Sequence, residues 1–238
     1  MDIEKNMKSR TRIKICGLRH KDDVKAAVDA GADAIGFVFF RDSPRCVRPD
    51  DAAKLIRTMP PFVTPVGLFV NAKAFEVEHI ARHTGIGLLQ FHGDETAEYC
   101  AEIAESVNLP FIRAFRVKPE TKPQDLVQYE QQYRNASTRF SGILLDSYTP
   151  AYGGSGKVFN WSLISKEIAH QAVLSGGLNT QNVADAILGI RPYAVDVSSG
   201  VEIARGIKCA IRIRDFISAV RAADREVEKS RNPVENRT

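Results

Sequence analysis

What most constrains this chain is an alternation, repeated eight times, of short apolar runs with segments of helical spacing. The first run, RIKIC at 12–16, alternates charged and apolar residues with period two and reads as a short strand with one face buried. In HKDDVKAAVDAGA, which follows, Val24, Ala27 and Val28 fall at helical spacing. AIGFVFF, FVTPVGLFV, IGLLQFHG, PFIRAFRV, SGILLDS, QAVLSGG and PYAVDVSSG supply the remaining strands. Between them lie helices: PDDAAKLIRTMP opens on Pro49 with acids in its first turn, and AKAFEVEHIARHTG ends at Gly85. DETAEYCAEIAESVN has Asp94 as its expected cap, and PQDLVQYEQQYR, the short WSLISKEIAH and NTQNVADAILG follow. The last helix is expected from about Ile207 to Ala223.

Apolar strands separated by helices imply a parallel sheet. Eight units within 238 residues fit one closed α/β (β/α)8 TIM barrel, a fold of roughly 250 residues. An open doubly wound sheet is the alternative, but it would more often place G-x-G-x-x-G after its first strand. Here the glycine-rich runs come late, after strands six, seven and eight. Loops after strands 7 and 8 are where such barrels often hold phosphate. The expected organisation is a leader at 1–10, a barrel at 11–224 and a polar tail at 225–238.

Composition narrows the partners. A net charge of +4 is mild, and no aromatic-studded basic stripe points to nucleic acid. No apolar run reaches the roughly 18 residues of a membrane span, and the first ten residues lack the apolar region of a secretion signal. The four cysteines form no C-x-x-C pair, so reduced thiols in a cytoplasm are expected.

Barrel chemistry sits at strand C-termini, so polar residues there are the candidates. Strand one ends in Cys16, either a small buried thiol beside a turn or a thiol at the rim of a cleft. The loop after strand two carries Arg41, Arg45 and Arg48. Strand four ends in His92, strand six in Asp146, and strand eight holds Asp196. Asp146 stands out, because a carboxylate does not fill a core without partners. His92 reads equally as a loop-bonded histidine, Arg45 as a solvated loop arginine and Asp196 as a brace at the barrel top. Arg113 and Arg116 on strand five are three apart, so they cannot share a face. Ser175, Gly176 and Gly177, with Ser198, Ser199 and Gly200, form two loops whose backbone N–H groups suit an anion. YGGSGK at 152–157 is no nucleotide loop, since Val158 follows Lys157, and reads as a lid beside Asp146.

KICG, ADAIGFVF leading into DSPR, QFHGDE, ILLDS, YGGSGKVFNW, LSGGLN and AVDVSSGVE occur in order. Together they resemble the phosphoribosylanthranilate isomerase family of tryptophan biosynthesis, from Thr11 to about Val220. The resemblance implies an aldose–ketose isomerase that performs an Amadori rearrangement of N-(5′-phosphoribosyl)anthranilate to 1-(o-carboxyphenylamino)-1-deoxyribulose 5-phosphate. By the same resemblance Cys16 is the general base and Asp146 the general acid. Arg45 binds the anthranilate carboxylate, the two glycine loops bind phosphate, and His92 and Asp196 line the pocket. No metal or cofactor is implied, because the substrate nitrogen is its own electron sink. The implied partner is a small phosphorylated substrate, and the chain is expected as a monomer or homodimer. Lys14, two residues before Cys16, is a candidate to lower the thiol's pKa, and Gly17 is expected to leave room for substrate.

Three positions depart from the family pattern: Cys46 for an aromatic residue, Arg205 for proline and Cys209 for aspartate. Other readings stay open. One is a different sugar-phosphate isomerase, although the histidine-pathway enzyme uses aspartate where this chain has Cys16. Indole-glycerol-phosphate synthase needs a lysine pair that this chain does not place. Another reading is a non-catalytic barrel that binds an anionic metabolite, for which neither Cys16 nor Asp146 would be needed.

Overall fold

The computed structural model describes residues 10–148 and 158–231. The expected leader apart from Arg10, the YGGSGK segment and the end of the expected tail lie outside the described residues. The elements run β1 (Arg12–Cys16), α1 (Lys21–Ala30), β2 (Ala34–Val38), α2 (Pro49–Ile56), β3 (Thr64–Phe69), α3 (Ala74–Thr84), β4 (Leu88–Phe91) and α4 (Ala97–Val107). Next come β5 (Phe111–Val117), α5 (Pro123–Ala136), β6 (Phe140–Ser147), α6 (Lys166–Ala169), β7 (Val173–Leu174), α7 (Val183–Ile190) and β8 (Ala194–Val197). A hairpin of β9 (Glu202–Ala204) and β10 (Ile207–Lys208) precedes α8 (Ala210–Arg231). Strands β1 to β8 form a closed barrel in chain order, and β1 pairs in parallel with both β2 and β8.

Closure changes the reading of β1. Ile13 and Ile15 point outward into the layer under the helices, packed with Val24, Ala27, Phe216 and Val220. Their alternates, Lys14 and Cys16, point inward, and inside a closed barrel they are buried as well. The strand therefore has two buried faces rather than one. The inner face is plugged by apolar side chains: Ile112, Ala114 and Leu144 in one cluster, and Cys16, Val38, Leu68 and Val70 in another nearer the strand ends.

Local signals place the helices. Pro49 starts α2, and Gly85 ends α3 in the left-handed conformation at φ 77°. The cap of α4 is Thr96, not Asp94: its side chain accepts from the Tyr99 N–H at 3.2 Å. Asp94 is drawn away by Arg116 at 2.8 Å. The expected WSLISKEIAH helix splits into a 3-10 turn at Trp161–Leu163 and the single turn of α6. The last helix begins at Ala210 instead of Ile207, because Ile207 and Lys208 pair back onto β9. It continues to Arg231, past the expected start of the tail. Arg205 and Gly206 make the hairpin turn, with Gly206 at φ 80°, and Cys209 stands just before α8.

Candidate active site

The C-terminal ends of the strands surround one cleft. It is lined by Cys16 from β1, His92 after β4, Asp146 from β6, Asp196 from β8 and Arg45 from the β2–α2 loop. Ser175, Gly176, Gly177, Ser198 and Ser199 form its rim, and Val38, Phe40, Leu68 and Val70 give it an apolar wall. The cleft continues into a shallow depression shared by Arg45, Gly177, Ser199, Gly200 and Glu202. The residues that the family resemblance assigns to the site therefore meet at one end of the barrel.

Cys16 is 4% exposed. Burial pushes its thiol above the ordinary value, and the Lys14 ammonium only partly offsets this. Lys14 acts in the expected direction, but burial outweighs it and the net shift is upward. Lys14 is beside the thiol, but it donates to Asp196 at 2.9 Å, so its charge is shared. Asp196 also accepts from the Ser175 hydroxyl at 3.3 Å. The tightness of this corner is visible at Gly36 on β2. A Cβ there would lie 2.7 Å from the Cys16 sulfur and 3.1 Å from Nζ of Lys14.

Asp146 is held from two sides. Its Oδ1 accepts the backbone N–H of Ser147 at 2.8 Å, and Oδ2 lies 3.0 Å from Nε2 of His92. Gly176, at φ 80°, packs directly over it: a Cβ would come within 2.4 Å of the Ser147 nitrogen and 3.0 Å of Oδ1. So Gly176 makes room for the end of β6, besides sitting in a loop expected to bind an anion. Among the described residues, no group of the protein takes the N–H of Gly176 or Gly177.

Arg45 is buried, and Glu202 grips it with two bonds, Nε to Oε1 at 2.7 Å and Nη2 to Oε2 at 2.9 Å. This leaves Nη1 for a ligand. Lys208 donates to Glu202 at 2.8 Å and to the carbonyl and hydroxyl of Ser198 at 2.9 and 3.1 Å. Gly17, at φ 80°, makes room for Arg45 rather than for substrate, since a Cβ there would lie 2.7 Å from Cδ of Arg45.

Of the strand-five arginines, Arg113 does not face the cleft, while Arg116, in register with Asp146, is held by Asp94 at 2.8 Å. Arg113 is buried outside the barrel, donating to the carbonyls of Phe91 and Gly93 at 2.8 and 2.9 Å and to the Tyr133 hydroxyl at 3.0 Å. It clamps the backbone on both sides of His92 and so fixes that side chain from behind. Arg48 is spent on Asp51 at the protein surface.

Glu202, Lys208 and Gln90 were not singled out from sequence. The signal for Glu202 was its place two residues after the SSG run. Lys208 alternates with an exposed Ile207, as a surface strand would. Gln90 lies two residues before His92, within an apolar run. Among the described residues, no cluster of His, Cys, Asp and Glu is arranged to hold a metal ion.

A family model described as N-(5′-phosphoribosyl)anthranilate (PRA) isomerase matches residues 13–219. The N-(5′-phosphoribosyl)anthranilate isomerase of Herminiimonas arsenicoxydans is 61% identical over 215 residues, which is 90% of this chain and 95% of that one. A crystal structure of a phosphoribosyl anthranilate isomerase in complex with reduced 1-(o-carboxyphenylamino)-1-deoxyribulose 5-phosphate superposes with TM-score 0.76 at 38% identity, covering 89% and 99% of the two chains. A structure of monomers generated from the dimeric enzyme of Thermotoga maritima superposes with TM-score 0.75 at 37% identity, again over 89% and 99%.

Proposed function

The chain belongs to the N-(5′-phosphoribosyl)anthranilate isomerase family, and from that membership we propose how its cleft carries out the reaction. The activity is the isomerisation of N-(5′-phosphoribosyl)anthranilate to 1-(o-carboxyphenylamino)-1-deoxyribulose 5-phosphate in tryptophan biosynthesis. The observation that carries the assignment of roles is that a thiol and a carboxyl, from the non-neighbouring strands β1 and β6, face one cleft.

Asp146 is the general acid. It delivers its proton to the furanose ring oxygen as the C1′–O bond breaks, and the substrate nitrogen takes up the electron demand as a protonated Schiff base. The carboxylate left behind is stabilised by the Ser147 N–H and by His92. Cys16, as the thiolate, then removes the C2′ proton, and the resulting enolamine relaxes to the ketone. One proton leaves at Asp146 and one arrives at Cys16, and solvent returns both groups to their starting forms. Lys14 and Lys208 offset part of the cost of a buried thiolate.

Binding follows from the rest of the cleft. Gly176 and Gly177, with Ser198, Ser199 and Gly200, hold the phosphate through backbone N–H groups; the Ser175 N–H is taken by the Leu145 carbonyl at 2.8 Å, so Ser175 shapes the loop instead. The anthranilate ring lies against Val38, Phe40, Leu68 and Val70, with its carboxylate on Nη1 of Arg45. Asp196 acts by holding Lys14 beside Cys16. The barrel at 11–224 is the catalytic unit, and we assign it to the cytoplasm as a homodimer, the state named for the Thermotoga maritima enzyme. No helix among the described residues is long and apolar enough to cross a membrane.

The test follows the loss of fluorescence of freshly made phosphoribosylanthranilate. Wild type is expected to turn over, and Cys16→Ala and Asp146→Asn are each expected to lose about 10²- to 10⁴-fold in kcat. Full activity in either variant removes that residue from its role. Binding without turnover in the wild type would favour the non-catalytic barrel. Sedimentation of the purified chain at the monomer mass would reject the homodimer.

A further inference from the structure

Gln90 and His92 are two residues apart on and just after β4, so both side chains point into the barrel. Gln90 is fully buried. Its amide nitrogen lies 2.9 Å from Nδ1 of His92, while Nε2 of His92 lies 3.0 Å from Oδ2 of Asp146. The amide oxygen of Gln90 is also buried, and among the described residues it has no hydrogen-bond partner. An unpaired buried acceptor is costly and calls for an explanation. The explanation lies on the other side of the amide: the glutamine is there for its donor.

A neutral imidazole donates from one ring nitrogen and accepts at the other. An amide N–H aimed at Nδ1 needs the lone pair on Nδ1, so the ring proton sits on Nε2 and points at Asp146. An imidazolium would set N–H against N–H at Nδ1. The other placement of the shared proton is the ion pair of imidazolium and carboxylate. In that state Asp146 has no proton to give.

We propose that Gln90 is a positioning residue that holds His92 neutral, with its proton on Nε2, and so keeps the acid's proton on Asp146. The proposal rests on Asp146 being the general acid. When Asp146 releases its proton to the ring oxygen, the Nε2–H is already aimed at the carboxylate that forms. No reorganisation is needed at that moment.

The experiment reads the His92 ring nitrogens by NMR in protein labelled with ¹⁵N-histidine, the signal being assigned by its loss in His92→Asn. Wild type is expected to show a protonated Nε2 and a bare Nδ1 at assay pH. Gln90→Glu sets an acceptor against Nδ1, so it is expected to show the imidazolium signature. Its kcat should fall by about 10- to 100-fold with KM changed far less, short of the about 10²- to 10⁴-fold typical of losing a general acid outright. Gln90→Met removes the donor without adding charge, and its loss of kcat should be smaller. Imidazolium or the Nδ1–H tautomer in the wild type overturns the proposal, whether or not the variants fold. So does a Gln90→Glu protein with wild-type signature and kcat. The ring signature does not depend on turnover, so a fully active Asp146→Asn would sink the acid assignment separately.

Discussion

At the scale of single residues, the site is governed by buried charges that share partners. Glu202 is the clearest case. Burial works against its charge, but the Arg45 bonds and the Lys208 ammonium win, and its carboxyl is held down at about 2 against an ordinary 4.5. A carboxyl lowered on folding adds stability that is complete above about pH 4.5 and is lost as pH falls toward about 2. The shift corresponds to about 3 kcal/mol as an upper bound. Lys208 returns part of it, since burial lowers its own pKa despite Glu202. Glu202→Gln is therefore expected to unfold at lower urea than the wild type at neutral pH. The gap between the two should narrow steadily as pH drops below about 4.5, and a gap independent of pH would contradict this account. The sequence showed Arg45 as a loop arginine with a ligand to bind. It did not show the carboxylate, 157 positions away, that orients it.

At the scale of elements, the two glycine loops are built around each other. Gly200, in the 3-10 turn after β8, packs on the loop after β7, where a Cβ would come within 2.0 Å of the Leu178 carbonyl oxygen. Gly200→Ala therefore has to push the two loops apart. We expect KM for the phosphorylated substrate to rise about tenfold, the scale of one helix-end anion contact, with a smaller change in kcat. An unchanged KM would place the phosphate elsewhere. Strand and helix types were legible here because each carries its own periodicity. The ends were less so. Thr96 caps α4 because Arg116 from the next strand takes Asp94, and α8 starts late because β10 pairs with β9. Cys209 holds the cap position before α8, where the family pattern has aspartate, a far better cap than a thiol.

At the scale of the molecule, the barrel closes where β1 pairs with β8, and the last helix is fastened to the start of β1. The Thr11 N–H and hydroxyl both donate to Asp224 on α8, the hydroxyl at 2.6 Å, and Arg221 donates to the Thr11 carbonyl at 2.8 Å. Arg10 and the Ile13 N–H converge on Asp33. These contacts tie the start of β1 to α8 at the end of the barrel away from the cleft. Asp224→Ala strands a buried N–H and is expected to cost about 1–3 kcal/mol. For a chain of this size that lowers Tm by about 2–12 °C. Turnover measured well below the transition should stay near wild type. A variant that keeps its Tm would show that the closure does not depend on this bond.

The amino-acid sequence by itself determined the alternation of elements, the parallel barrel that follows from it, and the strand ends at which Cys16, His92, Asp146 and Asp196 come together. These follow from local periodicity and from the rule that parallel strands must be joined by crossovers. Tertiary structure alone decided what each side chain is bonded to. It turned Lys14 and Gln90 into buried partners of the site, because closing the barrel puts the second face of every strand inside. It sent Arg113 to brace His92 from outside, gave Gly17 to Arg45, and raised the Cys16 thiol instead of lowering it. Partners such as Lys14 and Asp196 lie 182 residues apart. No local pattern reports a contact of that range, because it exists only once the first and last strands pair.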